Sequence, residues 1–122
     1  MRILLAEDDP TNREVLSRLL ARLGAAVEAA ADGAAALEAY RRSGPFDLAL
    51  VDIGMPVLDG LATARALRDI EAAEGRPRMP LLALTGADPG PEAARAGFDG
   101  TVQKPVGLAE LRGAIERYSL KS

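Results

Sequence analysis

The chain has 122 residues, of which 48% are hydrophobic and 27% charged, a balance that suits one globular domain with a real core. Its net charge of −3 argues against direct nucleic-acid binding, which needs a basic surface patch. Cysteine and histidine are absent, which excludes disulfides, imidazole catalysis and thiolate- or imidazole-ligated metals. Any metal must therefore be held by oxygen ligands, as Mg²⁺ is.

Short apolar runs alternate with longer stretches of helical spacing along the whole chain. Five runs are expected to be strands, at residues 3–6, 27–30, 48–51, 81–84 and 101–102. Because strands that alternate with helices form parallel sheets through βαβ crossovers, the pattern predicts an α/β fold with a doubly wound, five-stranded parallel sheet. No repeat or linker interrupts it, so we expect residues 1–122 to form a single domain.

Three of the expected helices begin after an aspartate that suits an N-cap. These aspartates are Asp9, Asp32 and Asp59. The first helix has Pro10 at its first position and stops at Gly24, and it carries apolar residues on one face. Those residues are Val15, Leu16, Leu19, Leu20 and Leu23. The second helix is expected at about residues 34–42, the third after Gly60, and the last at about residues 108–118.

The stretch between Thr85 and Thr101 has the weakest helical signal. It contains two prolines and four glycines, which leave a helical core of only about residues 92–96. Since so short a helix depends on tertiary packing, we predict that the fourth helix is abbreviated and mobile.

The N-terminal segment does not fit a signal peptide, because its short apolar start turns acidic at Glu7. No apolar run approaches the length needed to span a membrane. We therefore expect a soluble, cytoplasmic domain that makes no membrane contact.

Polar and charged residues follow the carboxyl ends of four expected strands. They are Glu7, Asp8, Asp52, Thr85 and Lys104. In open α/β sheets, ligands bind beyond these strand ends. Three converging carboxylates repel one another, by about 1 to 4 kcal/mol for each pair at 4 Å, unless a cation lies between them. Each residue alone has an ordinary surface explanation, but together they predict a site for a divalent cation and a phosphoryl group.

These strand-end motifs make the sequence resemble the response-regulator receiver family, the CheY-like domains of two-component signalling. The matching stretches are residues 3–9, 52–60, 83–86 and 104–105, and they span the chain. Residues 9–16, Asp-Pro-Thr-Asn-Arg-Glu-Val-Leu, are most similar to receivers of hybrid sensor histidine kinases. The resemblance implies a flavodoxin-like sheet in the order 2-1-3-4-5 with five helices.

The resemblance also implies a role for each strand-end residue. Asp52 would accept a phosphoryl group from a phosphohistidine on a histidine kinase or histidine phosphotransfer domain, with Mg²⁺ as cofactor. The Mg²⁺ ligands would be Asp8, Asp52 and the backbone carbonyl of Gly54, with Glu7 acting through water. Lys104 would pair with the phosphoryl oxygens, and the Thr85 hydroxyl would hydrogen-bond to the phosphorylated state. The domain would not be an enzyme in the usual sense.

Three features depart from the family pattern. Many receivers have an aromatic residue three positions before the lysine, where this chain has Thr101. The segment from Thr85 to Lys104 is also short. Gly54 and Ala87 stand where side chains often position an attacking water, so we expect slow self-dephosphorylation. The output would be a contact with a downstream protein, and a homodimer stays open.

Two other functions compete with phosphoryl acceptance. One is a degenerate receiver that acts as a phosphorylation-independent interaction module, which the complete set of five site residues disfavours. The other is an aspartyl phosphatase, which is disfavoured because Gly54 stands where a second catalytic acid is needed. Nucleotide-binding folds are excluded because no glycine-rich loop follows the first strand. The choice between a free-standing regulator and part of a hybrid kinase stays open.

Overall fold

The computed structural model describes residues 1–55 and 59–119, in which five strands alternate with five helices. The strands are β1 (Arg2–Ala6), β2 (Ala26–Ala30), β3 (Leu48–Asp52), β4 (Leu81–Thr85) and β5 (Gly100–Gln103). The helices are α1 (Pro10–Arg22), α2 (Gly33–Ser43), α3 (Gly60–Glu74), α4 (Pro91–Ala96) and α5 (Leu108–Ser119). The predicted strands and helices are all present. Pro56, Val57 and Leu58 of the motif at 52–60 lie outside the described residues.

The strands form one parallel sheet in the order β2-β1-β3-β4-β5, which confirms the predicted topology. The central strands β1, β3 and β4 are almost wholly buried, which explains their continuous apolar sequences. The register pairs Ala6 with Val51 and Asp52 with Leu84. The carboxyl ends of neighbouring strands therefore lie side by side at one edge of the sheet.

Helices cover both faces of this sheet, as expected for a doubly wound fold. On one face, α2, α3 and α4 contribute Tyr40, Leu67 and Ala93 to a continuous hydrophobic core. On the other face, α1 and α5 contribute Leu20 and Leu111 to a second core. No helix within residues 1–55 and 59–119 is long and apolar enough to cross a bilayer.

The three predicted N-caps are confirmed. The carboxylates of Asp9, Asp32 and Asp59 accept hydrogen bonds from the backbone N–H groups of the helices that follow them. Pro10 stands at the start of α1, where its missing N–H costs nothing. Two of these aspartates, Asp9 and Asp59, cap the helices that follow β1 and β3 in the chain.

The fourth helix is as short as predicted, with six residues. It lies between Gly90 and Gly97, whose φ angles of 73° and 116° favour glycine, and no side chain caps its N-terminus. Arg68 of α3 donates two hydrogen bonds to the carbonyl oxygen of Gly97, at 3.0 and 2.8 Å. Contacts with α3 therefore anchor the C-terminal end of α4.

The apolar face predicted for the first helix is only partly buried. Leu16 and Leu20 enter the core, but Val15 is 47% exposed. The apolar arc of α1 is wider than the stripe that contacts the sheet and α5. Val15 therefore lies at the rim of the packed face, where with Pro105 and Val106 it lines a surface groove.

Candidate functional site

The five predicted site residues stand at four strand ends along one edge of the sheet. Glu7 and Asp8 follow β1, Asp52 ends β3, Thr85 ends β4 and Lys104 follows β5. Because β3 lies between β1 and β4, Asp52 occupies the middle of the group. Its environment therefore decides what this edge of the sheet can do chemically.

The carboxylate of Asp52 is held from two sides. The residue is 5% exposed, and its Oδ1 accepts a hydrogen bond of 3.0 Å from the backbone N–H of Gly54. Its Oδ2 lies 3.1 Å from Nζ of Lys104, whose backbone N–H donates to the carbonyl oxygen of Thr85 at 2.8 Å. The Gly54 N–H and the Lys104 ammonium therefore hold the two oxygens of this buried carboxylate in place.

Glu7 is almost completely buried, with 1% of its surface exposed. Its Oε2 accepts a hydrogen bond from the backbone N–H of Asp9, whereas Oε1 lies 4.0 Å from Nζ of Lys104 and has no hydrogen-bond partner in the described residues. Burial, helped by the neighbouring Asp52, raises the pKa of Glu7 to about 7. Near neutral pH, Glu7 therefore takes up a proton easily when no cation is present.

The acidic residues fit a hard divalent cation. One carboxylate oxygen from each of Glu7, Asp8 and Asp52 lies within 4.8 Å of the other two. Oxygen ligands are those that Mg²⁺ prefers, and the unpartnered Oε1 of Glu7 is an acceptor that a hydrated cation would satisfy. The predicted ligation by the Gly54 carbonyl stays a prediction.

The hydroxyl of Thr85 is engaged outside the acidic group. It donates to the carbonyl oxygen of Ala87 at 2.9 Å, and the Ala87 N–H lies 3.3 Å from the same hydroxyl oxygen. This local turn holds the hydroxyl in the loop after β4. Thr85 therefore stands at the predicted edge, with a hydrogen bond that must break if the hydroxyl is to turn elsewhere.

A family model described as the response regulator receiver domain matches residues 3–116. The chain belongs to this family. The chain is similar to the receiver domain of sensor histidine kinase PA1611 from Pseudomonas aeruginosa, whose structure has a magnesium ion in the active-site cleft. The two are 35% identical in sequence and their structures have a TM-score of 0.83, over 96% of this chain and 95% of that one.

Two further comparisons relate this receiver to signalling proteins of yeasts. One similar structure is a co-crystal of the Saccharomyces cerevisiae histidine phosphotransfer protein Ypd1 and the receiver domain of Ssk1. A chain of that complex matches this chain with a TM-score of 0.90 and 25% sequence identity, over 98% of this chain and 88% of that one. The peroxide stress-activated histidine kinase mak1 of Schizosaccharomyces pombe is 35% identical over 115 residues, which are 89% of this chain and 7% of the kinase.

The receiver spans only a small part of its curated relatives. It covers 6–15% of six histidine kinases and sensor proteins, 49% of one response regulator and 35% of one transcriptional activator. The family itself belongs to two-component signalling, and its members accept phosphoryl groups. The activities of the longer proteins belong to those proteins.

Sequence reasoning missed two residues next to this site. A Cβ on Gly60 would lie 2.5 Å from Cα of Ile53 and 2.6 Å from the carbonyl oxygen of Asp52, so only glycine lets α3 start so close to the site loop. Arg13 donates to the carbonyl oxygens of Glu7 and Asp8. Its signal in the sequence is a cation in the opening turn of a helix, where the helix dipole disfavours it.

A groove of about 460 Å³ adjoins the acidic group between α1 and the loop after β5. Its lining is mostly apolar and comes from the residues Asn12, Val15, Leu16, Pro105 and Val106, with Glu7 and Lys104 at the end nearest the acids. The groove therefore borders Glu7 and also Lys104, the residue that contacts Asp52.

Proposed function

We propose that this receiver accepts a phosphoryl group on Asp52 from a phosphohistidine of a partner protein, in a Mg²⁺-dependent reaction. A carboxylate oxygen of Asp52 attacks the phosphorus and forms the new O–P bond. The P–N bond to the imidazole breaks, and its electron pair stays on the imidazole nitrogen. Because the second ring nitrogen of the reacting phosphohistidine carries a proton, the products are an acyl phosphate on Asp52 and a neutral histidine on the partner.

The contact between Asp52 and Lys104, 3.1 Å long and next to two further acids, is the observation that carries this proposal. A buried carboxylate with a lysine beside it and a cation site next to it offers both a nucleophile and fixed positive charge for phosphoryl oxygens. A bound Mg²⁺ would neutralise charge on the phosphoryl group. We assign its ligation to Asp8, Asp52 and the Gly54 carbonyl, with Glu7 acting through water.

We assign the response to phosphorylation to Thr85. The product adds about one to two negative charges beside existing acids, so donors that can reach it become favourable partners. The Thr85 hydroxyl would leave the Ala87 carbonyl and donate to a phosphoryl oxygen. This exchange would move the loop that leads into α4, and so the surface that a downstream protein contacts.

The groove beside the acids suits the partner that brings the phosphohistidine. Val15 is an exposed apolar residue in the mostly apolar lining of this groove. An apolar helix face of the partner would therefore cover the groove while the partner's histidine reaches Asp52. The Ypd1–Ssk1 co-crystal supports a histidine phosphotransfer domain as such a partner, because it pairs one with a receiver domain. A histidine kinase that carries the phosphohistidine itself is the alternative donor.

We further propose that residues 1–122 are one receiver domain, located in the cytoplasm and connected to its output through protein contacts. The similarity of residues 9–16 to hybrid-kinase receivers, together with the histidine kinases among the relatives, supports an origin in a hybrid kinase. Its net charge of −3 supports protein contacts rather than direct nucleic-acid contacts.

The test is incubation with Mg²⁺ and acetyl phosphate followed by intact-mass measurement. We expect the wild type to gain the mass of one phosphoryl group, and Asp52→Asn or a chelator to prevent it. A wild type that gains no phosphoryl group and binds no beryllofluoride would refute phosphoryl acceptance. Such a result would favour the interaction module that works without phosphorylation.

A further inference from the structure

Arg13, the fourth residue of α1, reaches back from its helix to the loop that carries two of the acids. Its Nη1 donates to the carbonyl oxygen of Glu7 at 2.9 Å and to that of Asp8 at 3.4 Å. These two carbonyls belong to the peptide groups on either side of the Asp8 Cα. One guanidinium nitrogen therefore holds the backbone before and after Asp8.

Asp8 depends on its backbone more than the other two acids do. The carboxylate of Glu7 is held by the Asp9 N–H, and that of Asp52 by the Gly54 N–H and Lys104. Within residues 1–55 and 59–119, no hydrogen bond or ion pair holds the Asp8 carboxylate, which is also less buried. The direction of the Asp8 side chain is therefore set mainly by the peptide groups that Arg13 holds.

The position of Arg13 is not explained by the stability of α1. A cation in the opening turn of a helix is opposed by the positive end of the helix dipole. Nor does Arg13 form an ion pair with an acid in the described part of the chain, where its contacts are backbone carbonyls. What the side chain does is fix a loop.

We propose that Arg13 is the positioning residue for Asp8, directing its carboxylate to the divalent cation that the proposed function requires. The inference rests on that function. Two effects of Arg13 on the cation oppose each other. Its charge repels Mg²⁺, whereas its hydrogen bonds preorganise a ligand for Mg²⁺, so the sign of a substitution's effect distinguishes them.

The test measures Mg²⁺ and Ca²⁺ dissociation constants by NMR titration of the wild type, Arg13→Lys, Arg13→Gln and Arg18→Ala. Arg13→Lys keeps the positive charge but loses the two-carbonyl hydrogen bond, and we expect its Kd for Mg²⁺ to rise about tenfold. Its Kd for Ca²⁺ should rise by a smaller factor, because Ca²⁺ tolerates irregular ligand geometry and Mg²⁺ does not.

Arg18→Ala is the matched control, since Arg18 is an exposed arginine of the same helix that pairs with Glu14, and its Kd values should equal those of the wild type. An Arg13→Lys protein with an unchanged Kd for Mg²⁺, or with the same factor for both cations, overturns the inference. If Arg13→Lys does not fold, Arg13→Gln decides, and Mg²⁺ binding as tight as or tighter than that of the wild type overturns it. A wild type that binds neither cation refutes the proposed function itself.

Discussion

Arg68 connects three segments of the chain, and its removal should cost much of the protein's stability. Its side chain is 13% exposed and donates to the carbonyl oxygens of Gly97 and Met79 and to the carboxylates of Glu71 and Asp99. Arg68→Met would leave the buried Glu71 carboxylate with the Met79 N–H, at 2.8 Å, as its remaining donor.

The magnitude follows from the charge that is left behind. Removing one partner of a buried ion pair typically costs about 3 to 5 kcal/mol, because the other charge stays buried without compensation. The free energy of unfolding of a small domain is about 5 to 15 kcal/mol in total, so Arg68→Met should lose a large share of that stability. Adding Glu71→Gln removes the uncompensated charge while keeping an acceptor for the Met79 N–H. The double variant should therefore be more stable than Arg68→Met.

The assay is urea unfolding followed by circular dichroism, with Arg65→Ala as the control. Arg65 is an exposed arginine on the same helix, and its loss should cost less than about 0.5 kcal/mol. The reasoning would be refuted if Arg68→Met lowered the free energy of unfolding by less than about 1 kcal/mol. It would also be refuted if the double variant lost as much stability as Arg68→Met and Glu71→Gln lose separately, added together.

Three further predictions concern the site. Without Mg²⁺, the pKa of Glu7 is raised to about 7 from its ordinary value of 4.5. Between these two pH values the folded state keeps a proton that the unfolded chain releases, so the free energy of unfolding falls as pH rises from about 4.5 to 7. Glu7→Gln should remove this slope in urea unfolding with a chelator, and equal slopes would contradict it. Val15→Asp should slow phosphotransfer from a phosphorylated histidine phosphotransfer domain by about tenfold or more. It should leave labelling by acetyl phosphate unchanged, with Arg18→Ala as control, and equal slowing with both donors would argue against docking at the groove. Since Gly54 and Ala87 offer no polar side chain to position a water, the phosphoryl group should persist for minutes or longer. A lifetime of seconds at neutral pH would count against this.

The fold and the membership of the site could be predicted because each depends on local signals and one geometric rule. Apolar runs that alternate with helical stretches indicate a parallel sheet, and the carboxyl ends of its strands share an edge. That rule brings Asp52 and Lys104 together although they are far apart in the sequence. In the structure, Oδ2 of Asp52 lies 3.1 Å from Nζ of Lys104. The N-caps Asp9 and Asp59 were predictable for the same local reason.

Features that depend on tertiary distances could not be predicted. Arg68 and Asp99, which form an ion pair, are 31 residues apart in the sequence. The residues around either one do not indicate that the other is its partner. The raised pKa of Glu7 comes from burial, which a strand-end position alone does not specify. Exposure of Val15 depends on how much of α1 the sheet and α5 cover, and helical periodicity cannot give that width.

Under the proposed function, phosphorylation of this receiver would not act through an aromatic side chain. Thr101 is exposed on β5 and has no ring to turn inward. The loop after Thr85 instead leads within a few residues to α4, whose N-terminus lacks a side-chain cap and whose C-terminus is held by Arg68. Movement of Thr85 would therefore act on the less restrained end of α4.

Chemical mapping of the phosphorylated residue tests phosphoryl transfer to Asp52 most directly. Borohydride reduces an aspartyl phosphate to homoserine, which peptide mass spectrometry locates. After treatment with Mg²⁺ and acetyl phosphate, we expect homoserine at position 52 and aspartate at positions 8 and 9. Homoserine at another position, or a phosphorylated protein with an unreduced Asp52, would contradict the assignment of Asp52 as the phosphoryl acceptor.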